Sequence, residues 1–528
     1  MRSSALAFGL VLACANDESG SGEAEGSSSG AASSTSASSS TAATTSSNTT
    51  QSSDDTSATS VDDSSGDGGD DTGPAPGGPG CGFESAAFCD TFDQPSALRG
   101  RAGDLDVTQW SAARGNPQLP TGNGQAIAAG PATVTDCRAD LPAQVYPDQD
   151  SVVCDPSSGI ASNHLLVAVG AQNYGQNSYR IRRPFDFAGR TGTISFDAQG
   201  WLLHSLFGWI SVEITEDPTP IPNYSIGAEG QTNDEGGAVP RNAIEVQFMT
   251  GCLGQPGTVG VRFIDVLVDY VDTLYAQVDQ PPCVEGAEGK LNHFEIRLSE
   301  SHVEVWASPY SDDGETFGEL VQLAAADIDL PFSRGWVHLT THNHATIKYS
   351  QDSGFGATHV IDAWVTRWDD VGFDGPVIDF REHEVGDSLV MGADAWNISG
   401  PVMNVGYLVP DTMTGAPLSL VVPAVDLDGM SSARLAIGMW YLVNQPDVPM
   451  DQYVLRYRFN GNAWHERAFT PSELAVLGNG HAQGALGQVM DVPIDELVAG
   501  DNVLELETQG VPQNYPPAAS AIDLVLAP

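Results

Sequence analysis

The residues of this chain best suited to chemistry lie between Trp209 and Trp368. His342 and His344 sit in a run, Gly335 to Tyr349, in which apolar and polar residues alternate. In a strand, alternate side chains share one face at about 7 Å spacing, so these two imidazoles can converge on one divalent cation. Asp362 supplies a third ligand if the following strand pairs as its own alternation suggests. His338 is about 13 Å from His342 along the strand, too far to join them. The same residues also suit a sugar. Trp209, Trp306, Trp364 and Trp368 offer flat apolar rings, and Glu245, Gln247, Glu295, Arg297, His342 and His344 offer groups that fix hydroxyls. The competing reading is a solvated polar face whose histidines pack on their neighbours.

These residues need strands to position them. Phe294, Ile296 and Leu298 fall on one side of their run, with His293, Glu295 and Arg297 on the other. Val303 and Val305 oppose His302, Glu304 and Trp306 in the next run. Val337 and Leu339 then belong to the core, and His338, Thr340 and His342 face away from it. Four alternating runs in succession, between Leu291 and Gly375, predict an antiparallel sheet buried on one side. Earlier runs at His164–Val169, Ser178–Phe185, Thr193–Ala198, Phe207–Ile214, Ala243–Met249 and Val261–Ile264 extend the pattern, with Gly, Pro, Asn and Asp between them. No helical period interrupts it, so the class is an all-β sandwich.

With 528 residues, the chain exceeds what one core supports. The formal net charge is −48, and no Lys or Arg lies between Ser3 and Leu98. A chain so acidic lacks the basic patch that nucleic acid or an anionic membrane surface requires, so no nucleic-acid partner is expected. Neutral glycans and divalent cations remain compatible.

At the N-terminus, Arg2 precedes an apolar run from Ala5 to Ala13, too short to span a bilayer and shaped like a secretory signal. Cys14, directly after Leu12-Ala13, resembles the lipobox of bacterial lipoproteins. That resemblance implies a signal peptide over 1–14, lipidation of Cys14 and, with Ala15 following, export to the outer membrane facing the cell surface. Residues 15–80 are Ser, Thr, Gly, Ala and Asp with almost nothing large and apolar; such a segment is expected to be a disordered tether. Six further cysteines, Cys81, Cys89, Cys137, Cys154, Cys252 and Cys283, form an even set in an exported chain. Proximity favours pairing 81 with 89, 137 with 154 and 252 with 283.

Residues 81–375 carry a family resemblance. Phe88-Cys89-Asp90-Thr91-Phe92, the strand at Tyr179-Arg180-Ile181, the hairpin Phe294–Leu298 with Val303–Trp306, and Trp368-Asp369-Asp370-Val371-Gly372-Phe373-Asp374 resemble the concanavalin A-like lectin and glucanase jelly roll, with laminin G-like modules among its members. The resemblance implies two curved antiparallel sheets and a glycan ligand on the concave one. Its family 16 glycoside hydrolases carry Glu-x-Asp-x-Glu on one strand, because retaining hydrolysis uses two carboxyls about 5 Å apart. Here the nearest match, Ala243-Ile244-Glu245-Val246-Gln247, leaves both outer positions of that motif without a carboxylate. The expectation is therefore binding without cleavage, with no catalytic residues.

Residues 376–528 read as a second, smaller accessory β-sandwich. Phe459-Asn460-Gly461-Asn462 has the composition of a hairpin turn, Pro471–Leu477 that of one short helix, and Gly500-Asp501-Asn502 before an extended apolar strand resembles galactose-binding-like sandwiches. Together these readings predict a surface-anchored, non-catalytic carbohydrate-binding lipoprotein, its partners an extracellular or cell-wall glycan and the outer membrane. The alternatives are a family 16-like hydrolase and an adhesion component with a protein partner. No cofactor is implied beyond the divalent cation above.

Overall fold

The computed structural model describes residues 77–92, 105–106, 108–115, 124–128, 162, 164–170, 175–199, 208–218, 240–250, 252, 257–277, 282–287, 290–311, 316–343, 363–385, 406–413, 415–442, 452–477, 484–510 and 517–528. The first sandwich is built from β1 (Ala86–Asp90), β2 (Trp110–Gly115), β3 (Gly124–Ala128), β4 (His164–Gly170), β5 (Gly175–Ile181), β6 (Phe185–Asp186), β7 (Gly192–Gln199), β8 (Gly208–Thr215), β9 (Ala243–Thr250), β10 (Thr258–Val268), β11 (Val271–Gln277), β12 (Val284–Glu285), β13 (Asn292–Leu298), β14 (His302–Ala307), β15 (Val321–Asp327), β16 (Arg334–Asn343) and β17 (Ala363–Asp374). One sheet has the order β15-β14-β13-β7-β17-β4-β3, with β1 added against β17. The other has the order β11-β10-β9-β8-β16-β5-β2, with β12 and β6 added at β10 and β16. We call these the first and second sheets. Sequential strands are split between them, as the repeated crossing of a jelly roll requires. The all-β, two-sandwich class read from the sequence is borne out.

The alternation places the core as expected. Ile194, Phe196, Phe294, Ile296, Leu298, Val303 and Val305 from the first sheet meet Val212, Ile214, Ile244, Val246, Phe248, Val337 and Leu339 from the second, all buried. Their centre is aromatic: Phe196 stacks on Phe294 at 5.2 Å, and Phe248 meets Phe294 edge-on at 4.9 Å. The hydroxyls of Thr341 and Thr366 hydrogen-bond across the interior at 2.8 Å, which satisfies two buried polar groups at once. Two disulfides follow the pairing that proximity favoured, Cys81–Cys89 and Cys252–Cys283. Cys14, Cys137 and Cys154 lie outside the described residues.

The second sandwich contains β18 (Arg381–Glu384), β19 (Gly406–Leu408), β20 (Leu418–Val425), β21 (Ser432–Leu442), β22 (Val454–Phe459), β23 (His465–Ala468), the helix α1 (Pro471–Leu477), β24 (Gly484–Val492), β25 (Gly500–Gln509) and β26 (Ala518–Ala527). Its sheets run β18-β26-β21-β24, with β19 against β26, and β20-β25-β22-β23. Asn460 and Gly461 both take left-handed φ, 52° and 73°, and Asn462 N–H donates to the Phe459 carbonyl. That is the turn whose twist suits a hairpin. Buried Asn502 accepts from Val498 N–H and donates to the carbonyls of Val498 and Gly500, so the Gly-x-Asn segment shapes the entry to β25.

The two sandwiches share an interface. Ala243, Leu267 and Tyr270 of the first belong to the apolar cluster of the second, and Trp336 meets Phe380 edge-on at 5.7 Å. The two-residue turn between β10 and β11 is Asp269-Tyr270, both left-handed at φ 51° and 65°. Its Tyr270 hydroxyl donates to the buried Glu473 carboxylate at 3.0 Å. Glu473 also closes a capping box on α1: its carboxylate accepts from Thr470 N–H, and Thr470 Oγ1 accepts from Glu473 N–H.

Candidate functional site

The face of the second sheet that points away from the sandwich core carries a row of polar residues in direct register. Asp265 on β10 opposes Glu245 on β9, and Glu245 opposes Glu213 on β8. Glu213 opposes His338 on β16, which opposes Arg180 on β5, which opposes Ser111 on β2. Each strand delivers its residue by the same rule: the neighbours on either side, such as Val212 and Ile214 or Ile244 and Val246, are core residues, so the one between must turn outward. A parallel row lies one step along, with Gln247 opposite Ser211, Ser211 opposite Thr340, and Thr340 opposite Ser178. All of these side chains are buried, with Glu213 and Glu245 at 0% exposure. The sequence expectation of an open polar surface at Glu245 and Gln247 is thus corrected. They face away from the core, yet they are covered, in part because the second sandwich packs beside them.

The chemistry of the row follows from its burial. Removal from water, then the charge of Glu245, push the Glu213 carboxyl well above the ordinary carboxylate range. Hydrogen bonds from Ser211, at 3.0 Å, and Thr340 oppose that rise. His338 is held neutral by burial and by the neighbouring Arg180 charge. Thr215 gives its proton to the Asp217 carbonyl, so its oxygen can only accept, and His338 Nε2–H is the donor to it at 3.0 Å. His338 Nδ1 then accepts from Ser178 at 3.3 Å. Arg262, at the bulge in β10, reaches Gln247 Oε1 at 3.2 Å and bears a positive charge toward Glu245.

Directly opposed residues of antiparallel strands hold their Cβ atoms about 4.5–5.5 Å apart. Glu213 and Glu245 are therefore cross-strand neighbours on one face of the sheet. A search for both carboxylates on one strand misses this pair, because Glu213 lies 32 residues earlier in the chain (245 − 213 = 32) and its partner strand is unknown until the sheet is assembled. The one sequence signal was a charged residue between two β-branched ones, in Val212-Glu213-Ile214 and again in Ile264-Asp265-Val266.

The remaining sequence-predicted residues fall into separate groups rather than one platform. Trp209 and His342 are directly opposed in β8 and β16, on the strands that carry Glu213 and His338. Glu295, Arg297 and Trp306 lie on the outer face of the first sheet, across the sandwich from Glu245 and Gln247, so one joint platform is corrected to two separate faces. There Glu295 opposes Trp306, Arg297 pairs with Glu295 at 2.6 Å, and the Arg297 guanidinium covers the Trp306 ring at 4.8 Å. Trp368 is corrected outright. It is fully buried, 5.5 Å from Phe196, and donates from Nε1 to Thr366. Before the irregularity at Asp369–Gly372, β17 turns Thr366 and Trp368 inward, one residue out of phase with the sequence expectation; beyond it Val371 and Phe373 take the core positions. Trp364 lies in β17 opposite Val169. His344 and Asp362, the other proposed metal ligands, lie outside the described residues. Among the described residues no group of three His, Cys, Asp or Glu is arranged to hold a metal ion.

The outer face of the first sheet has a polar row of its own. His293 on β13 opposes Asp197 on β7, which opposes Asp369 on β17. Burial pushes Asp197 up to about 6 against the pull of His293. Burial disfavours the His293 charge, but hydrogen bonds to Asp197, at 2.6 Å, and to Glu295 outweigh it and raise His293 to about 9.

No protein-family model and no curated protein matches the chain. Solved structures with a detectable likeness include a xylan β-1,4-xylosidase from Bacillus halodurans C-125, at 10% identity and a TM-score of 0.27 over 56% of this chain and 40% of that one. A glycosyl hydrolase family 16 protein from Mycobacterium smegmatis is 13% identical, with a TM-score of 0.25 over 55% of this chain and 100% of that one. Lectin I-B4 from Griffonia simplicifolia is 11% identical, with a TM-score of 0.22 over 40% of this chain and 87% of that one. The chain thus spans less than half the length of the xylosidase it resembles. Likeness at this level carries no argument about chemistry, and the two-sheet jelly roll stands on its own strand order.

Proposed function

We propose that the chain is a glycan-acting protein whose working groups are Glu213 and Glu245, with two-carboxylate glycoside cleavage as the reaction. The observation that supports this is their direct opposition on β8 and β9, with Glu213 the carboxyl that keeps a proton. Retaining glycoside hydrolases hold their two carboxyls about 5–5.5 Å apart, and opposed strand residues set the Cβ atoms that carry such carboxyls about 4.5–5.5 Å apart. In this reading Glu213 gives its proton to the leaving oxygen while Glu245 attacks the anomeric carbon. Glu213 then takes a proton from the water that releases the sugar from Glu245. One carboxyl raised well above the ordinary range beside a second is the arrangement such chemistry uses. Ser211 and Thr340 hold Glu213 in place.

The second reading is binding without cleavage. The burial of both carboxylates favours it, since a polysaccharide must reach the groups that cut it. Purified protein incubated with soluble β-glucans, xylan and agarose separates the two. Cleavage predicts new reducing ends that fall by about 100-fold or more in Glu213→Gln and Glu245→Gln. Retention on immobilised glycan with no new reducing ends would establish the second reading. Neither retention nor cleavage would overturn both.

We also propose that Cys14 anchors the chain by lipid, with residues 15–80 as the tether. The Leu-Ala-Cys sequence supports this. Metabolic labelling with a fatty-acid analogue should mark the wild type and not Cys14→Ala, which should leave the membrane fraction.

A further inference from the structure

The carboxylate row does not end within the first sandwich. Its Arg180 is gripped from the second: Nη1 and Nη2 donate to the two oxygens of Glu382 at 2.9 and 2.7 Å, and Nη2 also donates to Asp523 Oδ2 at 3.0 Å. The side chains of Arg180, Glu382 and Asp523 are 4%, 2% and 0% exposed. A bidentate grip of this kind fixes both the position and the plane of a guanidinium. Arg182 reinforces the contact from the same strand end through Glu384 and the Glu382 carbonyl. Arg180 is the direct cross-strand neighbour of His338, and His338 of Glu213.

We propose that Glu382 and Asp523 of the second sandwich are positioning residues of the carboxylate row, so that the second sandwich completes the site. This deepens the reading of Glu213 and Glu245 given above and rests on it. Glu213 faces Glu245 and then Asp265 on one side, His338 and then Arg180 on the other, with Ser211 and Thr340 beside it and Arg262 beyond Glu245. Within that set, Arg180 is the charge whose balance the second sandwich controls. Replacing Glu382 by Gln removes one counter-charge of the guanidinium and one of its two acceptor oxygens there, while Asp523 still accepts from Nη2. Arg180 stands two strand spacings, about 10 Å, from Glu213, and the Glu382 carboxylate lies against its guanidinium. At an effective dielectric of about 20, loss of the Glu382 charge lowers the Glu213 protonation midpoint by about one pH unit.

The test uses the full chain. The Glu213 carboxyl is followed through pH by ¹³C NMR of Glu-labelled protein, its signal identified by its loss in Glu213→Gln. Glu382→Gln should lower the midpoint by about one unit, and the alkaline limb of any glycan cleavage should move with it. Arg180→Met combined with Glu382→Gln removes one charge of each sign and should return the midpoint to within about half a unit of wild type. A folded Glu382→Gln protein with an unmoved midpoint overturns the proposal, as does a double variant that fails to restore it. If Glu382→Gln does not fold, Asp523→Asn serves in its place. The NMR arm needs no substrate, so a wild type that cleaves no glycan refutes the catalytic reading without touching this measurement.

Discussion

Tyr270 offers the sharpest test of how the sandwiches are joined. It sits at the tip of a hairpin from the first sandwich, 8% exposed, inside the apolar cluster of the second. Burial, then the charge of Glu473, push its phenol far above the ordinary tyrosine value, so it remains a donor at every working pH. Tyr270→Phe removes only the hydroxyl. A hydrogen bond to a charged group contributes about 1.5–3 kcal/mol. Glu473 keeps Arg467 and Thr470 N–H as partners, so the lower end, about 1.5 kcal/mol, is expected. Tyr270→Ala also empties the packed ring and should cost about 3–5 kcal/mol. Urea unfolding of the full chain, followed by tryptophan fluorescence and far-UV circular dichroism, measures both. The midpoints should fall in the order wild type, Phe, Ala. A Phe variant that unfolds at the wild-type midpoint would refute the claim that this hydroxyl supports a buried carboxylate.

Three further outcomes follow from the geometry. His293, raised to about 9, contributes stability that is complete below its unfolded value near 6.5 and is lost as pH rises through 9. The loss should approach about 3 kcal/mol, and the wild-type minus His293→Gln difference in unfolding free energy between pH 6 and 10 should show it. Trp368→Ala should destabilise the protein by about 3–5 kcal/mol, and Trp368→Phe by less, while the folded Phe variant keeps whatever glycan affinity the wild type has. Gly510 lies at φ 83°, and a Cβ there would stand 2.2 Å from the Gln452 carbonyl oxygen. Gly510→Ala should therefore lower the melting temperature far more than Gly461→Ala, whose Cβ would meet nothing within 4 Å.

Much of this architecture was legible in the sequence because period-two alternation reports directly on burial. Phe294, Ile296, Leu298, Val303, Val305, Val337 and Leu339 all reach the core that their spacing predicted. The Asn460-Gly461 turn and the helix at Pro471–Leu477 were readable for a related reason: turn and cap residues act within a few positions of themselves. The candidate site was not readable in the same way. Glu213, Glu245 and Asp265 belong to three strands, and only the order of strands in the sheet makes them neighbours. Burial was hidden as well. Alternation says that Glu245 and His338 leave one core, but not that a second sandwich packs beside the face they enter. Trp368 shows a further limit. Tryptophans every fourth residue, at 364 and 368, fit either phase of β17 until Thr366 is seen to bond Thr341 inside.

The locked tip of the β10–β11 hairpin has a consequence for the fidelity of the whole second sheet. A strand that slips by one residue swaps its two faces, and β10 would then turn Asp265 inward and Ile264 outward. Such a slip requires the Asp269-Tyr270 tip to advance or retreat, and that tip is seated in a different sandwich. The smaller sandwich thus acts as an alignment stop for the larger one. Errors of strand pairing at the carboxylate row are penalised by a misfit some residues away, in a core that the row itself never enters.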